Sequence, residues 1–142
     1  MLVMAIQFRL TKIEVPQFAI LTDKEFTDSM NINYGFEFSV SEDTTSLRCD
    51  ATASYIDGDT PVMKIVVRCE FYIEQNCWNA LKTENGLTFP AGFLQHLASL
   101  TVGTMRGVYY EKTENTAYNR FFIPLLDVNL AIKEDLTFPI NS

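Results

Sequence analysis

The chain has 142 residues, 11 Lys and Arg against 18 Asp and Glu, and a formal net charge of −7. That length suits one domain with a core of its own. That charge speaks against a nucleic-acid partner, which needs clustered cations to displace phosphate counterions. No run of 18 apolar residues occurs, so no membrane-spanning helix is expected. The apolar opening Met1–Ile6 precedes Arg9 and Lys12, the reverse of the order in a secretory signal. Cys49, Cys69 and Cys77 form no C-x-x-C, and His96 is the single histidine, so no metal site is expected. Three buried or half-buried, reduced thiols in a cytoplasmic protein are the expectation.

In the first segment Met4, Ile6, Phe8 and Leu10 alternate with Ala5, Gln7, Arg9 and Thr11, and Ile13 and Val15 continue the apolar face on the other parity. Such a slip predicts a bulge near Thr11-Lys12. Pro16 ends this strand or places it at an edge. From Asn31 to Val40, Ile32, Tyr34, Phe36, Phe38 and Val40 share one face. Ser41–Ser46 reads as a turn. Leu47, Cys49, Ala51, Ala53 and Tyr55 mark a third strand, and Asp57-Gly58-Asp59-Thr60-Pro61 is a hairpin signal. Met63, Ile65, Val67, Cys69, Phe71 and Ile73 mark a fourth. Short turns joining these strands predict an antiparallel meander, wet on one face and packed on the other.

The second half changes period. Gln75–Leu87 reads as a crossover loop with one helical turn at most. Thr88-Phe89-Pro90 reads as a helix start, with Thr88 as cap. Phe93, Leu97, Leu100, Thr104 and Val108 then recur at helical spacing, which predicts one long helix to about Lys112 or beyond. Gly103 and Gly107 lie one turn apart inside it and cost about 1 kcal/mol each relative to Ala, so a tight helix–sheet or helix–helix contact is expected there. Tyr118–Ile132, interrupted by Pro124, reads as extended, and Lys133–Ser142 is too short for a stable helix. The fold class is α+β in one domain over residues 1–142.

No G-x-S-x-G, G-x-x-x-x-G-K or G-x-G-x-x-G occurs. Asp57-Gly58-Asp59 lacks the alternating ligands of a calcium loop. His96 on the helix reads as a surface or core-edge residue. No catalytic residue, metal or cofactor is expected. Eleven Phe, six Tyr and one Trp are the unusual feature. Strand alternation places Phe8, Tyr34, Phe36, Phe38 and Phe71 in a core. It leaves Trp78, Phe121, Phe122 and Phe138 for a subunit interface or a binding groove.

Three stretches, in this order over residues 4–132, resemble the SecB family of cytoplasmic protein-export chaperones. They are Phe8-Arg9-Leu10-Thr11-Lys12-Ile13, then Phe89-Pro90 with Met105-Arg106-Gly107, then Pro124-Leu125-Leu126-Asp127-Val128-Asn129. The resemblance implies a SecB-like chain assembled as a homotetramer, a dimer of dimers, with sheets paired across one interface and the long helices sandwiched between dimers. It implies ATP-independent holding of unfolded or extended polypeptides in apolar grooves, without a cofactor. By position it places Trp78, Leu81, Leu87, Leu126, Val128 and Leu130 in the client groove. Phe93, Leu97, Leu100, Gly103 and Gly107 then belong to the oligomer interface. The acidic residues with which the family docks the translocation motor have no counterpart in Val15-Pro16-Gln17-Phe18-Ala19-Ile20, so motor docking is not carried over. The family's final, groove-covering helix has no counterpart either. A dedicated client, such as an antitoxin-like segment, is the alternative to general export. A different class, a hot-dog-like domain binding or transforming a small ligand between sheet and helix near His96, shares the broad architecture but places its helix early in the chain.

Overall fold

The computed structural model describes residues 5–22, 30–120 and 123–139. Met4, Phe121 and Phe122, named above, lie outside these. Four strands form one antiparallel sheet: β1 (Phe8–Ile20), β2 (Met30–Val40), β3 (Ser46–Asp57) and β4 (Thr60–Ile73). The boundaries of β2, β3 and β4 follow the alternation, whereas β1 runs past Pro16 to Ile20; the inner faces of β3 and β4 are buried at every second residue from Leu47 to Tyr55 and from Met63 to Ile73.

The meander needs a correction. The strand order is β1-β4-β3-β2, so only β2, β3 and β4 meander, and β1 lies beside β4 in a Greek-key arrangement. Alternation sets which face a strand buries, not which strand it neighbours. The apolar residues of β1 match those of β4 across the ladder, with Phe8 opposite Ile73, Leu10 opposite Phe71 and Phe18 opposite Ile65. The expected bulge falls between Leu10 and Lys12. A second register shift between Glu14 and Gln17 spans Pro16, whose missing N–H is harmless where an edge ladder is already broken.

The opposite sheet face is polar. Arg68 makes a bidentate pair with Asp50, Nε–Oδ1 at 2.8 Å and Nη2–Oδ2 at 2.9 Å, and Arg48 Nε reaches Glu70 Oε1 at 2.8 Å. Each pair joins residues directly opposite in the β3–β4 register, where cross-strand charges meet most easily.

Residues 75–89 form more structure than a crossover loop. They contain the helix α1 (Gln75–Leu81) and a hairpin of β5 (Lys82–Thr83) and β6 (Gly86–Phe89). The long helix α2 (Ala91–Lys112) then runs over the inner faces of β3 and β4, burying Leu94, Leu97, Ala98, Thr101, Val102, Met105 and Tyr109. Thr101 is tolerated in this core because its hydroxyl donates to the Leu97 carbonyl at 2.8 Å. Thr88 does not cap α2. It lies in β6, its hydroxyl bonded to those of Thr83 and Thr137 at 3.0 and 2.9 Å. The first helical N–H, of Ala91, donates instead to Asp135 Oδ1 at 2.8 Å, an anion at the positive end of the helix. After α2 come a 3₁₀ turn (Ala117–Arg120), a one-turn helix α3 (Val128–Ala131) and a short strand β7 (Leu136–Phe138) that pairs with β6. No helix among the described residues is long and apolar enough to cross a membrane.

Gly86 holds this second sheet together. Its φ is +134°, and a Cβ there would overlap the Phe138 carbonyl of β7. Gly86→Ala is expected to lower stability by roughly 1–3 kcal/mol from the backbone conformation and the clash together, measured by denaturant unfolding. An unchanged midpoint would show that β7 is not held in this way.

Candidate functional site

The site follows from which strands α2 covers. β3 presents small side chains beneath the helix: Cys49, Ala51 and Ala53, opposite Phe38, Phe36 and Tyr34 of β2. Small residues let the helix approach β3 closely, while the aromatic residues of β2 form a rim beyond its reach. Ile32, Tyr34, Phe36, Phe38 and Val40 are accordingly half-buried, whereas the inner residues of β3 are buried. β2 ends the sheet, so its outer row of N–H and C=O groups has no strand beside it among the described residues. Its register with β3 is unbroken from Met30 to Val40.

Part of this face is covered by the segment after the 3₁₀ turn. Ile123 and Ile132 are buried in the core, one at each end of an exposed stretch. Within that stretch Asp127 caps α3, its carboxylate accepting from the N–H groups of Asn129 and Leu130 at 3.1 and 3.2 Å. The Tyr34 hydroxyl donates to the Asp127 carbonyl at 3.4 Å. An open groove of about 410 Å³ remains, lined by Phe36 and Phe38 on one side and by Leu130, Ile132, Lys133 and Leu136 on the other. Leu130 is 64 % exposed on its lip, and Leu125 outside it is 85 % exposed.

The structure divides the residues that position alone assigned to a client groove. Trp78, Leu81 and Leu87 are buried and belong to the core instead. Trp78 stands edge-on to Phe89 at 5.9 Å and donates from Nε1 to the Ile73 carbonyl at 3.2 Å. These residues fill the junction between β4 and α2 because α1 and the β5–β6 hairpin fold them inward. Leu126 and Val128 are half-buried against the core, and only Leu130 borders the open groove. Phe138 is covered too, edge-on to Phe89 at 5.7 Å through the pairing of β7 with β6. Phe36 and Phe38 were legible as the apolar face of a strand, but nothing local marks that strand as an edge.

The residues assigned to an oligomer interface also divide. Leu97 is fully buried on the sheet-facing side of α2. Phe93 is half-buried, stacked on Phe89 and edge-on to Phe8. Leu100, 42 % exposed, lies on the outer side with Gly103 and Gly107, and beyond the neighbouring residues and backbone of α2 itself no described atom lies within 4 Å of a Cβ built on either glycine. The tight contact expected at the glycines is therefore not made within the chain. Beside them the Nε of Arg106 is buried without a hydrogen-bond partner. His96 is exposed, with its ring edge-on to Phe8 at 5.6 Å.

Cys49, Cys69 and Cys77 are free and buried. Burial pushes the Cys49 thiol up to about 12, against a smaller opposing pull from the Thr101 hydroxyl, and raises Cys69 as well. Both are therefore held as neutral thiols, not as the nucleophilic thiolate. Hydrogen bonds from the Ser41 and Thr45 hydroxyls lower the Asp43 carboxyl, which organises the β2–β3 turn as a carboxylate rather than acting as an acid. Among the described residues no group of three His, Cys, Asp or Glu side chains could hold a metal. No protein-family model, curated protein or solved structure matches the chain.

A raised thiol pKa has a definite sign. The unfolded thiol ionises near 9 and the folded one near 12. The stabilisation is therefore complete below pH 9 and is lost as pH rises from 9 towards 12, by up to about 1.4 kcal/mol per pH unit for this one group. Subtracting the stability curve of Cys49→Ala from that of the native chain, by urea unfolding across pH 8–11, isolates the contribution. A difference that stays flat above pH 9 would contradict it.

Proposed function

We propose that the chain is a SecB-like, ATP-independent holder of unfolded or extended polypeptide, a non-enzymatic homo-oligomer of the cytoplasm. The observation that carries this reading is the half-covered aromatic face of β2 next to an unbroken strand edge that no other strand among the described residues pairs with. A client strand laid along that edge gains main-chain hydrogen bonds whatever its sequence. Its alternate side chains enter the groove beside Phe36, Phe38 and Leu136. Such recognition selects extended, apolar chain and needs neither nucleotide nor cofactor.

Two further surfaces support assembly. The outer side of α2 offers Leu100 and the open glycines, and β1 leaves Leu10 and Ile13 45 % and 48 % exposed. In the SecB-like reading the first packs dimer on dimer and the second lies where sheets meet. The groove has room for a few side chains only. This short groove, with the non-acidic stretch Val15–Ile20, favours a dedicated client segment over general export.

Light scattering is expected to give a solution mass of four chains. Gly103→Leu is expected to break the assembly, because its side chain occupies the space a second helix would use. If the chain is a monomer instead, the same change leaves the mass unaltered and stabilises α2 by about 1 kcal/mol. The binding reading is tested with a fluorescent extended apolar peptide and with an aggregating unfolded client, both without nucleotide. Phe36→Ser should weaken binding at least about tenfold, roughly the loss of one buried aromatic contact. A native chain that binds neither probe would overturn the proposal.

A further inference from the structure

The layer over the apolar sheet face is built from two pieces of unequal firmness. α2 covers β3 and β4 with a continuous buried stripe. The cover of β2 is the strap of residues 124–131, held mainly at its ends. At the front, Ile123 is fully buried, and the preceding 3₁₀ turn is fastened to α2 by the Tyr109 hydroxyl, which donates to the Tyr118 carbonyl at 2.9 Å. At the back, Ile132 is buried and its carbonyl accepts from Gln95 Nε2 of α2 at 2.8 Å. Between these anchors one described hydrogen bond joins the strap to the rest of the chain, the long and exposed contact from Tyr34 to the Asp127 carbonyl. The α3 turn is capped by its own Asp127 and needs no polar group of the body to stay formed. Leu126 and Val128 add half-buried contacts.

The strap also has the chemistry of what the groove would bind. Pro124-Leu125-Leu126-Asp127-Val128-Asn129-Leu130-Ala131 is a short, apolar-rich segment that meets the edge strand at Tyr34 and faces Phe36 and Phe38 across the groove. We propose that residues 124–131 are a built-in cover that occupies the β2 face in place of a client and swings away on its two anchors when a client arrives. The proposal rests on the binding function proposed above and adds its regulation. The client's apparent affinity is then the intrinsic affinity reduced by the fraction of molecules whose strap is open.

The sign of one measurement decides it. The double substitution Leu126→Ser with Val128→Ser removes the apolar contacts of the strap and leaves both isoleucine anchors in place. It is expected to tighten binding of a labelled extended apolar peptide about tenfold by raising the open fraction. Tyr34→Phe, which removes the tether alone, should tighten it about threefold, the equivalent of one modest hydrogen bond. Unchanged or weaker binding by the double variant overturns the proposal, because it makes Leu126 and Val128 part of the binding surface or bystanders. In that case peptide binding by the native chain still stands. Absence of binding by native and variant chains alike defeats the binding function and the cover together. Tyr34→Phe removes no packed apolar surface, so the sign of its effect tests the proposal even where the double variant does not fold.

Discussion

One helix cannot roof four strands. Strands lie about 4.8 Å apart, so the sheet is roughly 15–20 Å across, whereas a helix with its side chains is about 10 Å wide. α2 is 22 residues long, roughly 33 Å, ample for the length of the strands but not for their number. It settles over β3 and β4, and both outer strands are left to other means of cover. The small side chains of Cys49, Ala51 and Ala53 deepen this choice by drawing the helix down onto β3. Everything distinctive about the surface follows from that shortage of width.

The two edges meet it differently. β1 is broken twice in register, carries Pro16 between the breaks, and has a Lys12–Glu14 ion pair at 3.7 Å on its exposed stretch. Bulges, proline and charge are the devices by which an edge strand resists indiscriminate pairing. β2 has no proline, and its pairing with β3 shows no register shift. Its protection is a separate piece of chain laid over its face. An edge that is regular, aromatic and only half-covered suits recognition of extended chain better than one that is broken and charged.

The end of the chain closes the core at the start of α2. β7 pairs with β6, Asp135 caps the first turn of α2, and Phe138 covers Phe89. These contacts bind residues far apart in sequence, and they make Gly86 indispensable where the Phe138 carbonyl passes over it. Trp78 joins the same cluster from α1. What reads locally as a loop with spare aromatic residues is in fact a second small sheet that plugs one end of the domain. The aromatic surplus is thereby divided: Trp78 and Phe138 go into this plug, while Tyr34, Phe36 and Phe38 stay at the rim.

The sequence by itself determined the properties that repeat along the chain. Alternation placed the inner faces of β2, β3 and β4 but not that of β1, whose Leu10 and Ile13 stay exposed; the parity change located the bulge near Thr11-Lys12, and helical spacing carried α2 at least to about Lys112. Those features are legible because a side chain's direction is set by the local backbone period. Tertiary structure alone decided which strands are neighbours, and so placed β1 beside β4 and left β2 at the edge. It alone turned Leu97 inward and Leu100 outward on the same helix, buried Trp78, Leu81 and Leu87, and left the glycines of α2 facing open space. Periodicity names a face but not what lies against it. Exposure depends on contacts between distant segments, and here it turns on how far one helix reaches across a sheet wider than itself.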